Sequence, residues 1–368
     1  RILKKYFQKK KKNIIKKNDK KFYDSITKSL EVVSRVSLSS LIIILFFFMM
    51  PIIIEFANEK TLLSKEYKNN SKTDLKKVLE NKELPNEDTA VNEKYLFEDV
   101  FEFNDLPSDT VRLSASTIQE LFKDTNYNLQ NVRETKLVKP VSLSLLPAEM
   151  KMIENTKKRK ELFIQIILPL IIEENKNIKL DRKKLFKVLN KNRNSKEQKN
   201  WLEKKFKQYG VNNRDLFTLK VRMDEIPVSL AIAQAAKETG WGTSRFALEG
   251  NALFGQWTWS GEGIKPAGAE DDSTHKVMKF KVLQASVKAY HRNINTHSSY
   301  KDFRSTRAQL RDEEKPLDSV VLSKYLDKYA ETGKEYVRIL QQIIRQNKLT
   351  DFDDVKLLPS SIDLESLI

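Results

Sequence analysis

The sequence predicts a mainly α-helical globular part with one membrane-spanning helix ahead of it. Residues 36–54 form a run of 19 uncharged, strongly apolar residues. Several segments between residues 115 and 240 combine helical spacing of apolar residues with helix caps. Seven of the nine glycines and three of the four tryptophans lie between residues 240 and 268, which indicates a loop-rich cleft on the helical scaffold.

The composition excludes several classes of protein. The chain has 368 residues, 40% hydrophobic, which is enough for one sizeable core and too apolar for a disordered polymer. Glycine and heptad repeats are absent, so collagen, coiled-coil and solenoid folds are excluded. Without cysteine there is no disulfide framework, no Cys-ligated zinc or iron–sulfur cluster, and no thiol nucleophile. The three histidines, His275, His291 and His297, lie in one short stretch.

Residues 1–35 are a basic arm that carries most of the positive charge. They contain 13 Lys/Arg and 3 Asp/Glu, so +10 of the net +17 lies here. Such an arm is typical of nucleic-acid binding or of membrane topology. Because the apolar segment follows directly, we expect a topology signal: the arm is cytoplasmic and everything after Ile54 is exported. No nucleic-acid partner is expected.

Residues 36–54 are predicted as a single transmembrane anchor in the inner membrane. A buried core helix rarely runs LIIILFFFMM with no polar face, and a basic region of 35 residues is too long for a cleavable signal. Residues 55–114 are predicted as a stalk or linker, rich at first in Asn, Lys and Glu. Its apolar cluster at 95–103 could be a strand or a short helix.

The first helices of the globular part follow from hydrophobic pattern and caps. The run LFIQIILPLII at 162–172 is too short to span a bilayer and predicts a buried helix, kinked or restarted near Pro169. A charged amphipathic helix is expected over 174–190. Another begins at the N-cap Ser195 and ends at Gly210. Weak helix signals precede them, and a short helix ends near Met223.

The helix over residues 227–239, PVSLAIAQAAKET, carries the first candidate chemistry. Gln234 and Glu238 are four residues apart on one face, and Gly240 terminates the helix. Glu238 lies at the negative end of the helix dipole beside Trp241, and both raise a carboxyl pKa. A raised carboxyl pKa in a cleft suits the general acid of glycosidic bond cleavage. A solvated glutamate at a helix end is the alternative.

The block AQAAKETGWGTSRFALEGNALFGQW at 233–257 resembles the glucosaminidase domain of Bax-type bacterial proteins. These belong with the family 73 glycoside hydrolases, which cut peptidoglycan. The resemblance continues in segments on both sides of the block, so that roughly residues 115–350 are covered; these segments are 274–280, 289–304 and 329–347, and more faintly 121–131, 142–150 and 159–163.

The resemblance implies an α+β, lysozyme-like fold: a helical lobe, a small β-hairpin lobe and a cleft between them. The catalytic domain is then 115–350, followed by a C-terminal tail, 351–368. Glu238 matches the family's general acid, and Tyr329 its active-site tyrosine, although a packed core aromatic is the alternative for Tyr329. The residues expected to contact substrate are Gln234, Trp241, Asn251, Phe254, Trp257, Trp259, His297 and Tyr336.

The second catalytic group stays open. Family members that have one carry it before a strand like HKVMKF, where this chain offers Glu270, Asp271 and Asp272, with Glu262 earlier. We favour Glu270 slightly. The N-acetyl group of the substrate could act as nucleophile instead. No cofactor and no metal are expected, and His275 and His297 are interpreted as hydrogen-bonding cleft residues.

The sequence therefore predicts a membrane-anchored endo-β-N-acetylglucosaminidase acting on the glycan strands of peptidoglycan outside the cytoplasmic membrane. A lytic transglycosylase on the same scaffold is one alternative, although its usual Gly-Leu-Met-Gln step is replaced here by Ala-Leu-Phe-Gly-Gln. A non-catalytic membrane tether that binds the wall is the other.

Overall fold

The computed structural model describes residues 97, 100, 111–191, 193–258, 263–265 and 276–359. The predicted basic arm and membrane anchor, and nearly all of the stalk, lie outside these residues. Their assignments stay predictions. Within the described ranges, no helix is both long enough and apolar enough to cross a bilayer.

Helices dominate the described residues. The α-helices are α1 Ala115–Asp124, α2 Leu129–Thr135, α3 Thr156–Leu189, α4 Lys196–Gln208, α5 Leu216–Arg222, α6 Val228–Thr239, α7 Arg245–Gly250, α8 Leu283–Thr296, α9 Lys301–Asp312, α10 Ser319–Ser323 and α11 Lys334–Gln346. The 3₁₀ segments are Ala148–Met152, Ser298–Tyr300, Asp327–Tyr329 and Leu349–Phe352. The strands are β1 Leu137–Val138, β2 Trp257–Thr258, β3 Gly263–Ile264, β4 Lys276–Met278 and β5 Lys356–Leu357.

Helix α3 continues through Pro169, so the predicted restart near this residue is wrong: the two expected helices are one helix of 34 residues. Proline cannot donate to the carbonyl four residues earlier, which is that of Gln165. The hydroxyl of Tyr127 donates to this oxygen over 2.9 Å, and the Gln165 side chain returns a bond of 2.8 Å to the Tyr127 carbonyl. An outside donor thus replaces the missing helix bond.

Helix α6 lies at the centre of the core. All its residues from Val228 to Ala236 are buried, and it packs against α3, α10, α11 and the 3₁₀ segment Leu349–Phe352. Its four alanines allow neighbouring helices to approach closely. Because α6 is enclosed, its C-terminal turn is held rigidly where it reaches the surface at Glu238.

A small antiparallel sheet in the order β2–β4–β3 follows α7. Val277 of the central strand β4 pairs with Trp257 on one side and with Ile264 on the other. A Cβ atom at Gly263 would lie 2.8 Å from the Val277 carbonyl oxygen, so glycine permits this close pairing. The predicted strand HKVMKF thus includes β4, and the predicted hairpin lobe contains three strands.

Residues 351–358 belong to the fold rather than to a separate tail. Strand β5 pairs in parallel with β1, and the carboxylate of Asp353 accepts bonds of 2.8 Å from both the backbone N–H and the hydroxyl of Ser229. Ser229 lies in the first turn of α6, where Pro227 offers no side-chain cap. The C-terminal segment therefore caps the helix that carries Glu238.

A second apolar cluster lies between α3, α4 and α5, beside a buried ion pair network. Asp224 is 2% exposed and is 3.1 Å from Arg311, 3.7 Å from Arg182 and 3.9 Å from Arg307. Burial alone would raise the pKa of Asp224, but the three guanidinium groups outweigh it and hold the pKa far below its ordinary range. This network joins α3 and α9 to the loop before α6.

Candidate functional site

Glu238 lies in the last turn of α6, and the turn that follows it is fixed by Thr239. The buried Thr239 hydroxyl donates to the Ala235 carbonyl over 2.6 Å and accepts from the Gly242 N–H over 2.9 Å. Gly240 ends the helix in the left-handed conformation, with φ of +57°. Both bonds depend on the hydroxyl of Thr239.

The carboxyl group of Glu238 is half-buried among hydroxyl groups and backbone. The hydroxyl of Tyr336 is hydrogen-bonded to it, and the site of a Cβ at Gly255 is 3.2 Å from Oε2. Burial raises the pKa of Glu238, against smaller lowering effects of the Tyr336 hydrogen bond and of Lys237. The direction agrees with the sequence-based expectation, but the cause is burial rather than the helix end and a tryptophan wall.

A chain of buried hydrogen bonds leads to this carboxyl group. The hydroxyl of Tyr290 donates to Oε1 of Gln234 over 2.7 Å, and Nε2 of Gln234 donates to the hydroxyl oxygen of Tyr336 over 3.1 Å. Gln234 lies one turn before Glu238 on the same helix. The predicted face of α6 therefore connects the carboxyl group to the interior rather than to solvent.

Aromatic rings hold the network in place. Phe254 and Tyr290 are stacked with ring centroids 3.9 Å apart, and Tyr329 stacks on Tyr336 at 5.5 Å. The Tyr329 hydroxyl donates to the Phe254 carbonyl over 2.7 Å. Burial raises the pKa of Tyr290, Tyr329 and Tyr336 well above the ordinary value. These phenols stay neutral near neutral pH.

Three residues predicted to contact substrate lie beneath the carboxyl group instead. Gln234, Phe254 and Tyr336 are at most 1% exposed, so in this conformation their side chains cannot touch a bound sugar. They affect the site indirectly, through hydrogen bonds and packing beside Glu238. Tyr329 is only partly buried, and its hydroxyl is committed to the Phe254 carbonyl.

Asn251 stabilises the loop beside the site through side-chain hydrogen bonds. It ends α7 in the left-handed conformation, φ 52°, and its amide donates to the carbonyls of Phe280 and Lys281 over 2.9 and 3.2 Å. Asparagine tolerates this conformation better than most residues. Asn251 therefore ties α7 to the segment between β4 and α8 from a 5% exposed position.

The remaining predicted residues are dispersed. Trp241 packs edge-on against Phe163 at 6.0 Å, with the Lys160 ammonium 4.8 Å from its ring. His297 is exposed and its ring lies 5.6 Å from that of Tyr300. Trp257 contributes backbone to β2. The others lie outside the described residues, and these are Trp259, Glu262, Glu270, Asp271, Asp272 and His275.

In the part of the chain that the structure describes, no group of three His, Asp or Glu side chains is arranged to bind a metal ion. His291 is buried, and its ring nitrogens lie 2.9 Å from the Val287 carbonyl and 3.2 Å from the Asn175 amide oxygen. Burial lowers the pKa of His291 to about 4. Its ring is therefore neutral at physiological pH.

Sequence reasoning did not single out three residues at the site. Tyr290 and Tyr300 come from α8 and the following 3₁₀ segment, and Gly255 directly follows Phe254. The buried amide of the next residue, Gln256, has no hydrogen-bond partner among the residues that the structure describes. Tyr290 is 56 residues from Gln234, so no local spacing could have indicated their contact.

Comparison with known proteins identifies similar chains. The glucosaminidase family, described as mannosyl-glycoprotein endo-beta-N-acetylglucosaminidase, matches residues 216–349. Protein bax of Escherichia coli (strain K12) is 32% identical over 196 residues, which are 52% of this chain and 70% of that protein. The catalytic domain of the autolysin Auto from Listeria monocytogenes is 19% identical, over 47% of this chain and 97% of that one, with a TM-score of 0.28.

Proposed function

Because the chain belongs to the Bax-type glucosaminidase family, we propose that it is a peptidoglycan hydrolase that cleaves the β-1,4 bond after N-acetylglucosamine in glycan strands. The observation that supports this most directly is Glu238. It is a partly accessible carboxyl group whose pKa is raised by burial, and it lies in the sequence block that resembles the family signature. A carboxyl group with a raised pKa keeps its proton to higher pH, which is the property that a general acid requires.

In the proposed reaction, Glu238 donates its proton to the glycosidic oxygen as the bond from that oxygen to the anomeric carbon breaks. The Tyr336 hydroxyl then donates a hydrogen bond to the carboxylate that remains, which limits the cost of the new charge. Attack on the anomeric carbon comes from water or from the acetamido oxygen of the substrate. Water finally supplies the hydroxyl of the product and restores the proton of Glu238.

The second group and the sugar contacts are part of the proposal. Glu270 is the carboxylate that we prefer as the partner of Glu238, and substrate assistance is the alternative. Trp257, Trp259 and Tyr329 would stack on sugar faces. The ring of Tyr329 is stacked on Tyr336 and lies 6.0 Å from the ring of Tyr300, so a sugar would have to use the part of the ring that these two tyrosines leave exposed.

The proposed location of the reaction rests on the predicted N-terminal segments. We propose that residues 36–54 anchor the chain in the inner membrane, that residues 1–35 stay in the cytoplasm, and that the catalytic domain acts in the periplasm. Residues 55–114 would then provide reach from the membrane to the wall. A reporter that is active only outside the cytoplasm, fused after Lys76, tests this topology. Activity of a cytoplasmic reporter alone would contradict it.

The experiment that tests the activity is digestion of purified peptidoglycan sacculi by the full chain, with mass spectrometry of the products. Reducing N-acetylglucosamine ends are expected, and Glu238→Gln should lower turnover about 10²–10⁴-fold. The matched control is Glu249→Gln, because Glu249 is exposed on α7 in the same sequence block. Anhydro ends would identify a transglycosylase instead. Binding to sacculi without any release of fragments would identify a tether.

A further inference from the structure

We propose that Tyr290 is a positioning residue: it fixes the amide orientation of Gln234, and thereby makes the Tyr336 hydroxyl donate its hydrogen to Glu238. Tyr290 would act on Glu238 indirectly, because its hydroxyl is hydrogen-bonded to Gln234, which in turn is bonded to Tyr336. Its catalytic consequence, though not the hydrogen-bond arrangement itself, rests on the proposed role of Glu238 as the acid.

The direction of the hydrogen bonds between Gln234, Tyr336 and Glu238 follows from the number of hydrogens that each group can donate. An amide has one accepting and one donating end, and a phenol has a single hydrogen. Because Nε2 of Gln234 donates to the Tyr336 oxygen at 3.1 Å, the hydrogen of Tyr336 is free for another acceptor, and Glu238 is hydrogen-bonded to it. The arrangement thus delivers a hydrogen, rather than a lone pair, to the carboxyl group.

Tyr290 makes this arrangement the stable one. Its hydroxyl donates to Oε1 of Gln234 over 2.7 Å. If the amide were reversed, the Gln234 oxygen would face Tyr336 and accept its hydrogen, while the hydrogen of Tyr290 would face an N–H group. A buried hydroxyl that loses its acceptor is strongly disfavoured. Gln234 and Tyr290 are both fully buried, so water cannot relieve the mismatch.

The ring of Tyr290 is held in place by the aromatic rings around it. Its ring stacks on Phe254 at 3.9 Å and 10°, and meets the edge of His291 at 5.3 Å. Among the described residues, the ionisable side chains that interact electrostatically with Tyr290 are Tyr300, Arg307, Tyr329 and Tyr336. Within the same described part of the chain, those that act on Glu238 are Lys237, Tyr300, Tyr329 and Tyr336. Apart from Lys237 these are phenols that remain neutral, so the direction of their hydrogen bonds determines how well they stabilise the charged form of Glu238.

Removal of the Tyr290 hydroxyl should therefore act on Glu238 at a distance. In Tyr290→Phe the Gln234 amide loses the bond that fixes it, so its oxygen competes with Glu238 for the hydrogen of Tyr336. The ionised carboxylate is then stabilised less, and the pKa of Glu238 rises. Because an acid with a higher pKa keeps its proton to higher pH, the alkaline limb of the activity profile should move in the same direction.

The test is a titration of Glu238 by carbon NMR, in full chain labelled at glutamate carboxyl carbons and assigned with Glu238→Gln. Tyr336→Phe should raise the pKa of Glu238, Tyr290→Phe should produce most of that rise, and the double variant should add nothing to Tyr336→Phe. Tyr127→Phe is the matched control, because Tyr127 is also buried with a bonded hydroxyl, and it should leave this pKa unchanged.

A rescue variant separates orientation from general disturbance. Gln234→Met removes the competing oxygen at similar volume, so Tyr336 keeps Glu238 as its acceptor. Tyr290→Phe combined with Gln234→Met should return the pKa of Glu238 towards the wild-type value. Should Tyr290→Phe fail to fold, the orientation of the Gln234 amide can be read in the wild type by NMR. Nuclear Overhauser effects from its side-chain NH₂ hydrogens should reach the ring of Tyr336, and effects to the ring of Tyr290 instead would overturn the proposal.

The titration is independent of activity, which keeps the two proposals apart. If Glu238→Gln retained full activity on sacculi, the proposed function would fail while the titrations still tested the hydrogen-bond chain. If Tyr336→Phe raised the pKa of Glu238 and Tyr290→Phe did not, the orienting role of Tyr290 would be refuted and the acid role of Glu238 would stand.

Discussion

A Cβ atom at Gly255 would lie 3.2 Å from Oε2 of Glu238. The backbone that follows Phe254 therefore passes directly beside the carboxyl group, with φ of +60° at Gly255. Glycine is required here for two separate reasons, since other residues are strained at this φ and a side chain would press on the carboxylate. The Asn-x-Leu-Phe-Gly turn thus shapes the immediate surroundings of Glu238.

Gly255→Ala should lower both stability and activity. The left-handed backbone costs about 1–2 kcal/mol for alanine, and the methyl group displaces the Glu238 carboxyl group. The control is Gly210→Ala, which has φ of +61° after α4 and no contact with the site. Both variants should lose similar unfolding free energy in urea, and only Gly255→Ala should lose turnover beyond that. Equal activity in the two variants would argue against the close approach.

Asp353 should make stability depend on pH in a direction unusual for a carboxyl group. Burial raises the pKa of Asp353 to about 6 from its ordinary 3.8, in spite of the bonds from Ser229. The folded state therefore binds this proton more tightly than the unfolded state. The contribution is fully present below pH 3.8 and is lost as the pH rises through about 6.

Asp353→Asn removes that ionisation and keeps the shape of the side chain. The unfolding free energy of the wild type relative to this variant should fall between pH 4 and 7. Urea unfolding at each pH measures the difference, and Asp124→Asn at an exposed position of α1 is the control. A difference that increases with pH would show that the Ser229 bonds outweigh burial.

Helix caps and terminating glycines in the sequence predicted the ends of several helices correctly. Features that depend on residues far apart in the sequence could not be predicted in this way. Ser195 caps α4 with Gln198, and Gly210 and Gly240 end their helices in the left-handed conformation, as expected from neighbours in the chain. The effect of Pro169 depends instead on Tyr127, which lies more than 40 residues away. Spacing alone could not supply that information.

The same distinction applies to the site. The motif predicted that Glu238 ends a helix and that its pKa is raised, but it attributed the raised pKa to neighbours in the chain, whereas burial raises it. The burial of Gln234 and Tyr336 depends on α8 and α11, which are distant in sequence. Sequence reasoning therefore interpreted them as contacts of the substrate rather than of the carboxyl group. The capping role of Asp353 was missed for the same reason.

Asp224→Asn should be among the most destabilising single changes outside the site. It leaves Arg182, Arg307 and Arg311 around an uncharged amide in a buried position, and loss of one partner of a buried ion pair costs about 3–5 kcal/mol. Chemical denaturation at neutral pH measures the loss.

The exposed pair of Glu203 and Arg214 supplies the control for Asp224→Asn. These groups are joined by two bonds of 2.9 Å on the surface, and Glu203→Gln should cost less than about 1 kcal/mol. A similar cost for the two variants would mean that water reaches the Asp224 network.

The continuity of α3 through Pro169 gives the last prediction. Tyr127→Phe removes the donor to the Gln165 carbonyl, which Pro169 cannot replace, so the variant should lose about 1–3 kcal/mol of unfolding free energy. Pro169→Ala restores a backbone N–H that can donate to the same oxygen. In the Pro169→Ala variant, Tyr127→Phe should therefore lower the unfolding free energy by clearly less than it does in the wild type. The effects of the two changes on the unfolding free energy, measured in urea, should be non-additive. Full additivity would mean that the Tyr127 hydroxyl stabilises the fold without compensating for the proline, and the explanation for the unbroken helix would have to be sought in the packing of its apolar residues alone.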